Sequence, residues 1–559
     1  MKKNYFLIIP LLISNLLLAQ NIQDEIKKYY ENLPFDMPVL NVPEFPQRDF
    51  LITDFGAVGD GFTLNTEAFN KAMIECSKNG GGRIVVPKGI WLTGPIEFRS
   101  NVNLYLERGA HIQFSKNFDH YPLVLTTYEG TEQYRCQSPI SGRNLVNIAI
   151  TGYGVIDGGG DAWRYVKKSK LTSQQWKELV ASGGVVDSTG NNWWPSEQAM
   201  NGEKILKQLQ KQKGKLTKED YQKVRDYLRP VMVNFINCKN ILLEGVTFQN
   251  SPAWNIHPLM SENIILKNVT VRNPWYSQNG DGIDVESCKN VIIYDCKFDV
   301  GDDAICMKSG KDEFGRKRGI PTENVIIADC IVYHDHGGFT IGSEMSGGVR
   351  NIKVTNCNFI GTDIGLRFKS TRGRGGVVEN IYIDNIFMKD IPTDALSFNM
   401  YYGGQAPTED LSIEEKLKSR KGYQVNEGTP QFRNIFLENI YCVGAKDAVV
   451  IQGLPEMKIK NIVLKNVKMK SQRGISIFDA DDIKLINTEI YSSEPVIKIF
   501  QSKNILIDNF ITDYNINTIM KLEGEETSDI KVKGNNANLI LKKILFDNSV
   551  SKEALKIIN

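Results

Sequence analysis

From about residue 144 onward one short phrase keeps returning, an Asn followed by alternating Ile, Val or Leu. It reads N-I-L-L-E at Asn240, N-I-I-L-K at Asn263, N-V-I-I-Y at Asn290 and N-V-I-I-A at Asn324. It returns at Asn351, Asn380, Asn434, Asn461 and Asn504, and most of the intervals fall between 23 and 34 residues. Alternation with period two predicts strands, and a repeat of 20–50 residues predicts stacked units that each contribute to one continuous core. Short strands joined at Asn turns, repeated nine times, predict an all-β, right-handed parallel β-helix in which Asn side chains stack from coil to coil. The competing antiparallel sandwich would have to produce the nine Asn turns by coincidence.

The remaining patterns frame that solenoid. A helical period follows, with Asn65 or Thr66 as its cap, Ala68, Phe69, Ala72, Met73 and Cys76 on one face and Gly80–Gly82 at the stop. This predicts an N-terminal capping helix. Residues 160–230 break the repeat and predict a partly helical insertion, with helices over 171–182 and 203–229. Residues 1–20 resemble a signal peptide, with Lys2 and Lys3 ahead of an apolar stretch too short to span a bilayer. Residues 21–46 form a polar lead-in, and 47–559 are expected to form one catalytic domain. The chain is therefore expected to be exported to the periplasm or beyond, without a membrane anchor and as a monomer.

Composition narrows the partner less than the pattern does. Lys and Arg number 67 against 65 Asp and Glu, a net charge of +2 that gives no global case for nucleic acid. The 48 Asn and 47 Gly suit turn-rich β architecture rather than helix bundles. Nine Cys thinly spread over 559 residues, with five His and no C-x-x-C, form neither a disulfide framework nor a metal-ligand pattern.

The chemistry lies where coil spacing becomes proximity. Residues one coil apart stack ~4.8 Å from each other. Four segments stand about one coil apart: Asn279-Gly-Asp281, Gly301-Asp302-Asp303, His334-Asp-His336-Gly-Gly, and Gly365-Leu-Arg367-Phe-Lys369. In register they place three carboxylates, an imidazole and two cations on one face. Crowded carboxylates raise the proton affinity of at least one of their number. A protonated and an ionised carboxyl on either side of a bond are what glycoside hydrolysis requires. Taken singly, Asp-Gly and Gly-Asp-Asp are turn sequences; their recurrence on successive coils carries the functional reading.

These four segments, in this order, resemble the N-T-D, G/Q-D-D, G-H-G and R-I-K motifs of glycoside hydrolase family 28, the polygalacturonases, and their context is most similar to the bacterial branch. D-F-G-A-V-G-D-G at Asp54–Gly61 and T-G-P-I at Thr93–Ile96 resemble that superfamily's N-terminal cap. The resemblance implies Asp302 as general acid, Asp281 and Asp303 as the pair activating water, His336 as support for the acid, and Arg367 and Lys369 as binders of substrate carboxylate. It further implies single displacement with inversion on an acidic polysaccharide or oligosaccharide, with no cofactor and no metal. Gly280 in place of Thr, Asp335 in place of Gly and Phe368 in place of Ile depart from the motifs without removing a catalytic group.

Weaker candidates accompany them. Asn279 would orient Asp281 or serve a turn; Lys308 would bind a second carboxylate; His257 or Trp254 would line the sugar site or be buried. Trp193-Trp194 would stack on sugar or anchor the insertion. The expected activity is exo-type cleavage of α-1,4-galacturonosyl bonds. Rhamnogalacturonan hydrolysis, a calcium-dependent lyase and a non-catalytic β-helix binding protein are the alternatives.

Overall fold

The structure, a computed structural model, describes residues 22–404 and 411–558. The stretch expected to be a signal peptide lies outside the described residues. The chain divides into two compact units. One holds residues up to Thr126, Glu132–Gly280 and Cys288–Lys297; the other holds Thr127–Thr131, Asp281–Ser287 and Phe298 onward. Each is built as a parallel β-helix, the fold class the repeat predicts.

In the first unit the strand Gly82–Val86 pairs in parallel with Val102–Leu106, and the ladder continues through Val146–Gly152, Lys239–Glu244, Glu262–Lys267 and Lys289–Tyr294. Helix α1 (Thr66–Lys78) buries Ala68, Phe69, Ala72, Met73 and Cys76, as its period predicts. Asn65 precedes it but does not cap it. Its amide instead ties the loop together, accepting from Val58 N–H and donating to the carbonyls of Val58, Thr63 and Leu92.

The insertion departs from expectation in its second half. Helix α2 (Ser173–Ala181) falls where expected and opens on a Thr172–Gln175 capping box. The single helix expected over 203–229 is instead α3 (Glu197–Lys213) and the short α4 (Lys218–Gln222), followed by a 3₁₀ turn. Gly214, at a φ of 75°, stops α3, and the Thr217–Asp220 capping box restarts the chain in a new direction. A small cluster of Tyr121, Leu123, Cys136, Trp163, Val224 and Leu228 provides a separate core for this region.

In the second unit a continuous parallel ladder runs through β1 (Ile283–Glu286), β2 (Asp303–Lys308), β3 (Gly337–Ile341), β4 (Leu366–Lys369), β5 (Val377–Asn399), β6 (Gln431–Gln452), β7 (Ile459–Phe478) and β8 (Ala480–Tyr491). Phe339, Phe368 and Phe398 are buried on successive coils; the last two rings stack with centroids 4.5 Å apart. The Phe that replaces Ile between the two cations therefore belongs to an interior aromatic column.

The Asn repeat has a direct structural meaning. Asn240, Asn263, Asn290, Asn324, Asn351, Asn380 and Asn434 all lie at φ between 56° and 58°, in the left-handed region that Asn tolerates better than most residues. Within each unit the side-chain amide donates to the Asn carbonyl one coil back. Asn263 bonds Asn240 at 3.0 Å, Asn351 bonds Asn324 at 3.1 Å, and Asn461 bonds Asn434 at 2.9 Å. A second ladder, Asn439 to Asn385 and Asn466 to Asn439, bends β5, β6 and β7 at another corner. All nine cysteines are buried and free.

Candidate active site

Register assembles the acidic centre within the second unit. Ile283 pairs with Ile305, and the Gly282 N–H donates to the Asp303 carbonyl at 2.9 Å, so Asp281 and Asp303 sit on neighbouring coils in line. Asp302 lies at the turn immediately before β2. One carboxylate oxygen from each of Asp281, Asp302 and Asp303 lies within 4.8 Å of the others. Asp281 and Asp303 are buried, whereas Asp302 is half-buried and accepts from the Asp303 N–H at 3.1 Å.

The three carboxyls have different surroundings. Burial opposes ionisation of Asp303, but Lys369 at 2.6 Å and Arg367 at 3.1 Å outweigh it and hold its carboxyl well below the usual range. Thr340 Oγ1 also donates to it at 3.1 Å. Gly337 gives this contact room, because a Cβ there would stand 2.7 Å from Asp303 Oδ1. Asp281 is pushed the opposite way, chiefly by burial and then by the charges of Asp284 and Asp302, and its Oδ1 has no hydrogen-bond partner. Asp281 and Asp303, side by side, are thus driven in opposite directions: burial and neighbouring acids favour the protonated form of Asp281, while Lys369 and Arg367 favour the ionised form of Asp303.

Behind this pair lies a layer that sequence reasoning missed. Asp284, fully buried on β1, is raised to about 8 mainly by burial, and its nearest cation is Lys308, 3.4 Å away. Lys308 also meets Glu344 at 3.2 Å. Burial works against ionisation of Glu344 too, yet Lys308, Lys369 and Arg374 bring it down to about 2. The expectation that Lys308 binds a substrate carboxylate is therefore corrected. The residue is buried, at 3% exposure, and its ammonium is already held between two carboxyls of the protein. The alternating pattern Ile283-Asp284-Val285-Glu286 was the available signal, since it places acids on the side of the strand opposite the core.

Asp335, the residue found where the motif has Gly, turns inward. It is fully buried and accepts the Val300 N–H at 2.5 Å. That leaves His336 facing outward, with its backbone N–H donating to the Asp302 carbonyl at 3.0 Å. Its Nδ1 pairs with Asp363 at 2.8 Å, a partner not anticipated from sequence. Arg367 and Lys369 lie beneath Tyr402, 5.8 and 5.1 Å from its ring centroid. Tyr402 is 40% exposed and is fixed by donating its N–H to Ser370 on the preceding coil. It adds a flat ring to the site, and its position one coil after Lys369 is the signal that would have found it.

The candidates in the first unit are placed as follows. Asn279 has a φ of 54°, and its carbonyl oxygen accepts from Arg229 at 2.8 Å; Arg229 also binds the Gln278 and Pro252 carbonyls. The end of the insertion thus clamps the loop that carries Asn279. Gly280, where the motif has Thr, is required there because a Cβ would collide with the Ser277 hydroxyl. His257 is corrected to a core position: it is fully buried, hydrogen-bonded to Asn234 and packed edge-on against Trp254. With no exposed surface it has nothing to offer a sugar. Trp193 is buried with its indole N–H on the Gly183 carbonyl, and Trp194 stacks on Tyr165 at 4.4 Å, so both hold the insertion together.

A parallel β-helix bearing clustered carboxylates backed by an Arg and a Lys defines a glycoside hydrolase of the solenoid class. The match of residues 165–471 to the model of glycosyl hydrolases family 28 places this chain in that family. A probable polygalacturonase of Vitis vinifera is 30% identical over 425 residues, 74% of this chain and 73% of its own length. An exo-poly-alpha-D-galacturonosidase of Dickeya chrysanthemi is 26% identical and covers 82% of this chain and 74% of its own. The crystal structure of a hyperthermoactive exopolygalacturonase from Thermotoga maritima is similar at a TM-score of 0.66 and 32% identity, covering 89% of this chain and 96% of its own.

Proposed function

We propose that this protein hydrolyses α-1,4-galacturonosyl bonds of pectin from the chain end, with Asp302 delivering the proton to the leaving oxygen and Asp303 taking a proton from the attacking water. The observation that carries the reading is the division of labour among the three acids. Asp303 is held ionised by Lys369 and Arg367, whereas Asp302, at the turn before β2, is the least buried of the three and the one open to a leaving oxygen. Asp281 lies close enough to hold the same water. His336, fixed by Asp363 at 2.8 Å, is a positioning group beside Asp302. Galacturonate supplies the negative charge that Arg367 and Lys369 would share with Asp303, and Tyr402 supplies a stacking face. The relatives named above include two exo-acting polygalacturonases, which supports end-wise action over internal cleavage. Export of the chain fits a polymer that lies outside the cell, and among the described residues no helix is long and apolar enough to cross a membrane.

The decisive experiment is a time course of products from polygalacturonate, separated by size. Mono- or digalacturonate from the first minutes, with slow loss of viscosity, is the expected result. A ladder of intermediate lengths would show internal cleavage, and products absorbing in the ultraviolet would show elimination instead of hydrolysis.

A further inference from the structure

The second unit carries an unclaimed surface away from the carboxylates. Strand β5 bends at Asn385 and Asp390, both in the left-handed region at φ of 53° and 54°. The segment between these bends forms a face distinct from the one bearing Leu396–Asn399, which pairs with Arg367 and Lys369. On that face Phe387 pairs in register with Tyr441, and Lys389 pairs with Val443, which pairs in turn with Lys470. The Phe387 and Tyr441 rings are stacked, with centroids 5.3 Å apart and planes within 10°. They are nevertheless open to solvent, at 48% and 39% exposure, and Val443 beside them is 61% exposed. A shallow depression that includes Val443 is lined also by Pro392, Lys446, Lys470 and one acid, Asp390. Among the described residues, neither Lys446 nor Lys470 takes part in an ion pair, whereas the neighbouring Lys389 and Lys468 are paired with Asp390 and Glu489.

We propose that Phe387, Tyr441, Lys446 and Lys470 form a second, non-catalytic binding surface for a strand of acidic polysaccharide. Two exposed rings on adjacent strands, stacked in offset parallel planes, form with Val443 an apolar strip against which the C–H groups of a sugar chain can pack. Two unpaired ammonium groups at its edge complement carboxylates on the same strand. The inference rests on the proposed function only for the identity of the polymer. A second copy of this chain is a poorer occupant, because a two-fold contact through this face would gather Lys446 and Lys470 of both copies into one interface. The coil that carries Phe387 continues directly into the strand paired with β4. A polymer held on this face is therefore tethered to the same coils that carry Arg367 and Lys369.

The test uses full-length protein carrying Asp302→Asn, so that the polymer is not consumed, in native gels containing polygalacturonate. Trigalacturonate at saturating concentration occupies the active site throughout. Retardation should persist under these conditions and weaken as salt rises. The pairs Phe387→Ser/Tyr441→Ser and Lys446→Glu/Lys470→Glu should each lose roughly tenfold in apparent affinity with an unchanged thermal midpoint. Abolition of retardation by the trimer alone would overturn the proposal, as would undiminished retardation of both variants. Sedimentation of the parent protein as a dimer that these substitutions dissociate would assign the face to self-association instead. If the enzyme without Asp302→Asn fails to cut polygalacturonate, the proposed function fails, and that result is separate from retention on the gel.

Discussion

Lys369 donates to Asp303 across 2.6 Å although the whole of β3 lies between their strands in the ladder. The contact is possible because Gly337, the β3 residue in register with Asp303, has no side chain to fill the gap. An ammonium at that distance decides the protonation state of the buried carboxyl. Replacing Lys369 with Met should therefore raise the Asp303 pKa and move the acidic limb of the kcat/KM profile to higher pH. The sign follows from the depressed carboxyl: ionised Asp303 stabilises the fold above the ordinary carboxylate range and loses that contribution as pH falls. Breaking such a pair costs about 3–5 kcal/mol, so unfolding by denaturant should show a large loss as well. An unmoved acidic limb in a folded Lys369→Met protein would remove Asp303 as the base.

Asp302→Asn preserves shape and hydrogen-bonding capacity but cannot deliver a proton to the leaving oxygen. Turnover of polygalacturonate should fall by roughly 10²–10⁴, the usual contribution of a positioned general acid, while binding of a non-hydrolysed oligomer is retained. Steady-state kinetics beside a titration of binding separates the two. Activity within a few fold of the parent would reassign the acid.

The ladder and the acidic centre were legible because both are encoded by spacing: the Asn phrases mark coil corners, and Asp281 stands about one coil before the adjacent Asp302 and Asp303. What remained hidden depends on which way side chains turn within a coil. Lys308 and Lys369 are both Lys at the ends of short strands, yet one is held between Asp284 and Glu344 and the other grips Asp303. Asp335 and His336 are sequence neighbours that alternation sends in opposite directions. The second long helix of the insertion failed for a local reason, since a charge-rich helical period ran through Gly214 without registering the stop.

Asp284 offers a stability test independent of activity. Its carboxyl is raised to about 8, so the folded protein keeps a proton that the unfolded chain releases above about pH 4. Its contribution is fully present below that lower value and is lost progressively as pH rises toward 8. Asp284→Asn has no such proton to lose. Relative to the parent, the variant should gain stability between pH 5 and 8, as read from denaturant midpoints. A difference that stays constant over this range would mean that Lys308 keeps Asp284 ionised.

The stereochemical outcome is open to direct measurement. Inverting glycosidases usually hold their two carboxyls about 6.5–9.5 Å apart and retaining ones about 5–5.5 Å. The three nearest oxygens here lie within 4.8 Å of one another, which by that rule favours double displacement. The distance is between single oxygens rather than between carboxyl centres, and in the proposed reaction Asp303 takes a proton from water without bonding to the sugar. Inversion is therefore expected, and proton NMR of the first product should show the β-anomer before mutarotation. Initial release of the α-anomer would instead make one of the buried aspartates a nucleophile.

The Asn ladder should respond differently to two small substitutions at one position. Asn351 donates to Asn324 at 3.1 Å and accepts from Asn380 at 3.3 Å, at a φ of 57°. Alanine would lose both bonds and would also place a Cβ in left-handed backbone, which costs about 1–2 kcal/mol beyond the bonds. Each lost bond adds roughly 0.5–1.5 kcal/mol. Glycine loses the same bonds without the conformational cost, although it gives the unfolded chain more freedom. Asn351→Ala should therefore be the more destabilised of the two in chemical denaturation, by about 0.5–1 kcal/mol once glycine's extra freedom in the unfolded chain is subtracted. Equal losses would show that Asn stands at these corners for its coil-to-coil hydrogen bonds, and a smaller loss for alanine would show that the corner is not held left-handed in solution.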